Sequence, residues 1–235
     1  MTAPDNSRRR TIRSFVRRAG RLTPSQERAL LELWPSLGVD FDPDRVIDFD
    51  KLFDRSAPIV LEIGFGNGDS LVQQALEHPG MNFLGIEVHE PGVGHCLLKA
   101  RAAGLSNLKL IKRDAIEVLT HQIPPASLQR INIYFPDPWP KKRHHKRRMI
   151  QAGFLQLLHE RTAAGGTLHI ATDWANYAEH IDEVLGQSGL FRCEERREHD
   201  GSGPLDRPGT KFERRGLRKG HRIWDWRCKK SAHDS

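Results

Sequence analysis

The sequence predicts an α/β protein built on a doubly wound, mostly parallel sheet. Three observations carry that expectation. From Pro58 onward, short apolar runs alternate with segments of helical period. The first run ends in a glycine-rich loop, Gly64-Phe65-Gly66-Asn67-Gly68. At 235 residues the chain is long enough for one full α/β core. Strands that alternate with helices imply βαβ units, and these close into parallel sheets with right-handed crossovers.

Residues 1–50 read as a basic, polar arm, with little core pattern beyond Ala29-Leu30-Leu31-Glu32-Leu33-Trp34. Residues 51–235 read as a single globular domain. Within it, Ile59–Ile63 is a strand followed by a helix over about 68–78, and Phe83–Val88 a strand followed by a helix over about 93–104. Leu108–Ile111 and about 114–121 repeat the pattern, and Ile131–Phe135 is the next strand. Ile150, Phe154, Leu157 and Leu158 lie at i, i+4, i+7 and i+8, one face of a helix. Gly166–Ala171 then reads as a strand and Trp174–Leu185 as a helix. Residues 196–221, charged and rich in Gly and Pro, read as loop, and Arg222–Cys228 as a last strand.

The 37 Lys/Arg exceed the 30 Asp/Glu, and 19 of the 37 fall in three short segments. Seven Arg lie between Arg8 and Arg21, six Lys/Arg between Lys141 and Arg148, and six between Lys211 and Arg222. Phe15, Trp139 and Phe212 sit among them. Cations with interleaved aromatic rings suit a polyanion that also offers bases to stack on, with salt-sensitive affinity. Cys96, Cys193 and Cys228 are odd in number with no C-x-x-C, which argues against a disulfide framework or a zinc site and suits a reducing cytoplasm. No metal is expected, and no apolar run reaches the ~18 residues of a membrane span. The Arg-rich start continues into Leu22-Thr23-Pro24-Ser25-Gln26 without a break, so it is not read as a presequence.

Glycines after the first strand let the backbone turn sharply and approach a ligand closely. The spacing departs from the dinucleotide fingerprint, because the third glycine position is Asp69. Glu62, Glu87 and Asp114 stand at the ends of the first three strands of the domain, so their carboxylates converge beyond the carboxyl edge of the sheet. Acids there repel a pyrophosphate and attract a cation. S-adenosylmethionine, with a ribose, an amino group and a sulfonium but no phosphate, satisfies that pattern.

The stretch Phe135-Pro136-Asp137-Pro138-Trp139-Pro140 leaves the next strand as a stiff extended loop, since three prolines forbid helix and ladder pairing. It places an acid and a flat ring directly before Lys141–Arg148. Such a loop suits a nucleobase whose phosphates are gripped alongside. Whether Trp139 stacks on that base or packs the loop is open.

With both ends read, the chain resembles the bacterial tRNA (guanine-N7-)-methyltransferases from Ile12 to Trp226. The resemblance rests on Arg13-Ser14-Phe15-Val16-Arg17-Arg18, Glu62-Ile63-Gly64-Phe65-Gly66, Gly85-Ile86-Glu87-Val88-His89, Phe135–Arg148, Ala171-Thr172-Asp173-Trp174 and Thr210–Gly216. The glycine loop is generic to methyltransferases; the segments Phe135–Arg148 and Thr210–Gly216 are far more specific. Asn67 and His95 depart from what is expected of relatives, and the chemistry needs neither. The resemblance implies a class I, Rossmann-like methyltransferase fold that methylates N7 of guanine(46) in the variable loop of tRNA. It implies that Glu62, Gly64, Glu87, Asp114 and Asp137 contact S-adenosylmethionine, with Asp137 also catalytic. Lys141, Asp173, Thr210, Lys211, Phe212 and Glu213 would contact the substrate, and Arg143, His144, His145, Lys146, Arg147 and Arg148 the RNA. The expected assembly is a monomer or homodimer. Three other classes share parts of this pattern: an NAD-dependent oxidoreductase, a methyltransferase for adenine N6 or another RNA, and a non-catalytic RNA-binding module. The last would have no use for Glu62, Glu87 and Asp114.

Overall fold

A computed structural model describes residues 20–202 and 207–232 of the chain. The Arg13–Arg18 motif and all but Arg21 of the first basic cluster lie outside these residues. The described chain runs α1 (Pro24–Leu37), β1 (Gly38–Val39), α2 (Phe49–Phe53), β2 (Ile59–Ile63), α3 (Asp69–Glu77), β3 (Asn82–Ile86), α4 (Glu90–Ala102), β4 (Leu108–Ile111), α5 (Ala115–His121) and β5 (Leu128–Tyr134). A 3-10 turn over Lys142–Arg147 follows, then α6 (Ala152–Arg161), β6 (Thr162–Thr172), α7 (Ala175–Ser188), β7 (Phe191–His199), α8 (Lys211–Arg218) and β8 (Ile223–Lys230).

The eight strands form one sheet in the order β1-β4-β3-β2-β5-β6-β8-β7. Pairing is parallel from β1 to β6, and β8 joins β6 and β7 antiparallel. The doubly wound, mostly parallel expectation is therefore correct. Every residue of β2 and β3 is buried, because helices cover both faces. Side chains alternate between two cores. Ile59, Leu61 and Ile63 enter one with Val118, Leu158 and Ile181, while Val60 enters the other with Phe83, Leu71, Val93 and Leu97. Among the described residues no helix is long and apolar enough to cross a membrane.

Three expectations are corrected. The arm read over residues 1–50 is in part domain: Thr23 and Gln26 cap α1 reciprocally, α1 buries Ala29 and Leu37, and β1 pairs with β4. Gln26 also donates to Pro91 O of α4 at 3.1 Å. Residues 196–221, read as loop, complete β7 and contain α8. The helix buries only Glu213 and Gly216, so no apolar stripe announced it. Finally, Cys193 and Cys228 form a disulfide. They lie opposite each other on β7 and β8, a pairing set by strand register that the 35-residue separation conceals.

The first turn of α4 presses on the glycine loop. A Cβ on Gly92 would stand 2.3 Å from Gly66 O, whereas one on Gly153 in α6 would meet nothing within 4 Å. Both substitutions to Ala gain helix propensity, but only Gly92→Ala must displace backbone. We expect Gly92→Ala to cost about 1–3 kcal/mol and Gly153→Ala to be neutral or stabilising by up to about 1 kcal/mol. Urea midpoints compare them directly; equal stability of the two variants would mean that α4 does not buttress the loop.

Candidate active site

In a parallel sheet all carboxyl ends point the same way, so residues that follow the strands gather along one edge. Five acids do so here, in spatial order Asp114 after β4, Glu87 after β3, Glu62 at the penultimate position of β2, Asp137 after β5 and Asp173 after β6. Winding reverses between β2 and β5, and loops that leave adjacent strands there diverge to opposite faces. The glycine loop and the Asp137 loop are the two that flank this point.

Gly64, Gly66 and Gly68 all have positive φ, at 75°, 57° and 76°. A Cβ on Gly64 would enter open space, whereas Gly68 packs against Cys96. Glu87 braces the loop from the neighbouring strand. Its Oε2 accepts from Gly66 N at 2.9 Å, and its Oε1 accepts from Val88 N at 2.7 Å and His89 N at 2.9 Å. Lys99 donates to Asn67 O at 2.9 Å and pairs with Asp69, which fixes the far end of the loop.

Glu62 is only 3% exposed. Its Oε2 accepts from Ser70 and from Gln74, both at 3.2 Å, and its Oε1 has no partner among the described residues. Burial pushes its pKa up to about 8, against the pull of those hydrogen bonds and of Arg207 and Arg130. A desolvated carboxylate with one uncommitted oxygen is suited to a cation. Asp114 caps α5 by accepting from Ile116 N at 2.9 Å, so it lies at the expected edge and also has a local structural role.

The Asp137 loop is held in a costly conformation. Phe135 and Trp139, which bracket it, adopt φ of 54° and 45°, a left-handed region that costs non-glycine residues about 1–3 kcal/mol each. Asp137 itself is exposed. Phe135 N donates to Ala171 O at 2.8 Å, and Arg148 Nε donates to Pro138 O at 3.0 Å. The Arg147 guanidinium lies 4.9 Å from the Trp139 ring centroid and His144 meets the same ring edge-on, so Trp139 packs the loop.

Between β7 and β8 the chain returns to this edge as α8. Thr210 and Glu213 form its capping box, and Phe212, 51% exposed, lies beside Gly66. Gly216 lets the helix approach Asp173, since a Cβ there would stand 2.6 Å from Asp173 Oδ2. Asp173 also accepts from His221 Nδ1 at 3.1 Å. Lys141, Lys142, Arg143, Lys146 and Arg147, all exposed, follow directly on the Asp137 loop.

Two expected contact residues are placed otherwise. Arg148, expected at RNA, is 3% exposed. It stacks on Tyr177 and donates to Asn176 O and Oδ1, because the 3-10 turn points it inward. Glu213, expected at the substrate, is 2% exposed, with its oxygens bound to Arg207 and Thr210 N. The sequence reading missed Arg207 entirely. It stands alone in a Gly/Pro-rich stretch, and its two acidic partners, Glu213 and Asp225, are 6 and 18 residues away.

The family described as "Putative methyltransferase" matches residues 56–226. A tRNA (guanine-N(7)-)-methyltransferase of Halorhodospira halophila is 55% identical over 93% of this chain and 95% of its own. One of Alkalilimnicola ehrlichii is 51% identical over 96% and 95%. Among solved structures, a 16S rRNA methyltransferase, KamB, superposes with a TM-score of 0.58 at 15% identity, covering 80% of this chain and 95% of its own, a likeness of fold.

Glu62 gives a signed pH dependence. Folding raises its pKa from 4.5 to about 8, so the folded protein holds a proton that the unfolded chain has lost. Stability without ligand therefore falls as pH rises from about 4.5 through about 8. Glu62→Gln should flatten that part of the profile in urea titrations; an unchanged profile would mean the carboxylate is already charged in the fold.

Arg147 and Arg148 should separate in character. Arg148→Ala removes several charged hydrogen bonds and should cost about 2–4 kcal/mol of stability. Arg147→Ala should leave the denaturation midpoint nearly unchanged and reduce the salt slope of RNA binding by about 0.7–0.9. Equal midpoints for the two variants would contradict the burial of Arg148.

Proposed function

The chain belongs to the tRNA (guanine-N(7)-)-methyltransferase family, and from that premise we propose how its own residues methylate N7 of guanine(46) in tRNA. The observation that carries the reading is the meeting of three features at one switch point: a braced glycine loop, a buried carboxylate with an open oxygen, and a strained acidic loop set in cations.

S-adenosylmethionine, the methyl donor, supplies an electrophilic methyl on a sulfonium when bound. The donor set fits it. Gly64 leaves space against the loop, Glu62 Oε1 is placed for an ammonium, and Glu87, whose oxygens already order the loop, faces the same crevice to accept ribose hydroxyls. Asp114 closes the row. An ammonium beside Glu62 lowers its pKa from about 8, so donor binding at neutral pH is accompanied by proton release from that residue.

Guanine N7 carries an in-plane lone pair and no proton, so the transfer needs no general base. Asp137 acts by charge and position. Its carboxylate accepts from guanine N–H groups and follows the positive charge as it moves onto the purine. The left-handed turns at Phe135 and Trp139 fix where that carboxylate points before substrate arrives. Phe212, apolar and half-exposed at the lip of the glycine loop, offers a stacking face. Thr210, Lys211 and Asp173 line the substrate side, and Lys141, Arg143, His144, His145, Lys146 and Arg147 grip the backbone. Glu213 serves the substrate by holding Thr210 in place.

Mass spectrometry of unmodified tRNA incubated with the protein and S-adenosylmethionine locates the methyl group. Asp137→Asn should lower single-turnover methylation by about two to three orders of magnitude with tRNA affinity largely retained. A tRNA carrying 7-deazaguanine at the target should bind and stay unmethylated. Methylation of that analogue at another atom would remove N7 as the nucleophile.

A further inference from the structure

Behind the Asp137 loop lies a buried polar cluster whose centre, Arg207, the chemistry above does not use. Arg207 is 5% exposed. It donates from NH1 and NH2 to the two oxygens of Glu213, at 2.8 and 3.1 Å. From Nε and NH2 it also reaches the two oxygens of Asp225, at 2.6 and 2.9 Å. Asp225 is held further by His169 Nε2 and His199 Nε2, each at 3.0 Å. His199 Nδ1 accepts from Gly201 N at 3.1 Å, which leaves Nε2 to donate to Asp225. His169 Nδ1 faces Tyr134 OH at 3.4 Å. Burial would raise the Asp225 pKa, but the hydrogen bonds from His169 and Arg207 and the charge of Arg207 hold its carboxyl far below the usual carboxylate range.

The two ends of this cluster matter most. At one, the guanidinium lies 5.3 and 5.4 Å from the ring centroids of Tyr134 and Phe135, the residues from which the Asp137 loop departs, and Phe135 is one of its two strained positions. At the other, Glu213 accepts from Thr210 N and receives Arg207, fixing the first turn of α8. A fork that engages two carboxylates and a ring at once is a geometry lysine cannot supply.

We propose that Arg207 is a positioning residue for methyl transfer, locking the Asp137 loop, through Phe135, to the Thr210–Glu213 turn. This rests on the function proposed above. Guanine is gripped by one segment and aligned by the carboxylate of the other, so their relative placement sets the reacting distance. Misplacement of about 1 Å costs about 100-fold in rate.

The test uses the full chain with unmodified tRNA. Arg207→Met and Arg207→Lys are compared for S-adenosylmethionine stoichiometry and affinity by calorimetry, tRNA affinity by filter binding, and single-turnover rate at saturation. Arg207→Met should bind both ligands within about threefold of wild type, at full stoichiometry, while its rate falls about 100-fold. Arg207→Lys should recover only part of that rate. A role in folding alone would lower stoichiometry and rate in proportion and leave the rate per bound site unchanged; that result overturns the proposal. If Arg207→Met fails to fold, Asp225→Asn decides, because it loosens Arg207 from β8 without touching either segment. It should lose about tenfold in rate per bound site, and an unchanged rate refutes the lock. Wild-type protein that leaves guanine N7 unmethylated would instead sink the proposed function, and is scored first.

Discussion

The reversal of winding between β2 and β5 is the constraint on which the rest of the molecule depends. A strand in a parallel sheet cannot return by a tight turn, so each connection must cross a face. Where successive crossovers change sides, neighbouring loops part and leave a crevice. The glycine loop and the Asp137 loop flank that crevice only because β2 and β5 are adjacent in register, with Glu62 beside Asn132 and Ile63 beside Ile133. Every acid in the site inherits its position from this arrangement.

Much of this was legible in the sequence wherever burial wrote a regular pattern. β2 and β4 fall on the expected residues, since strands inside the sheet read as short, mostly apolar runs. The site acids were legible for the same reason: a carboxylate that closes such a run has nowhere to be except the edge. The elements that escaped are those stabilised by polar groups. α8 is held by a capping box and a buried ion pair, and β7 by edge pairing to β8, and neither leaves a hydrophobic period. Arg148 escaped because six cations in eight residues look alike in sequence, and only the turn decides which one faces inward.

The burial of charge in this protein is uneven. On the side of β2, the interior contains two carboxylates, Glu62 and Glu87, among neutral polar groups such as Ser70, Gln74, Asn82 and Asn132. On the side of β6 and β8, it contains Arg207, Glu213, Asp225, His169 and His199. Such clusters are poor sources of net stability, because desolvation offsets much of the attraction, but they tolerate few alternative arrangements. Rigidity therefore accumulates beneath the loop whose two strained residues must be held, and openness remains at Gly64, where a ligand has to enter.

The strand order has a temporal consequence. β8 sits between β6 and β7, so among the described residues β7 has no other neighbour in the sheet and waits for a strand made after it. α8 lies on the connection between the two and depends on Asp225 of β8 through Arg207. A growing chain can assemble β2 to β6 and their glycine loop while β8 is still unmade. The Thr210–Glu213 side of the crevice is then the last part to take shape, and a partly synthesised chain would have a place for a methyl donor before α8 completes the place for the target base.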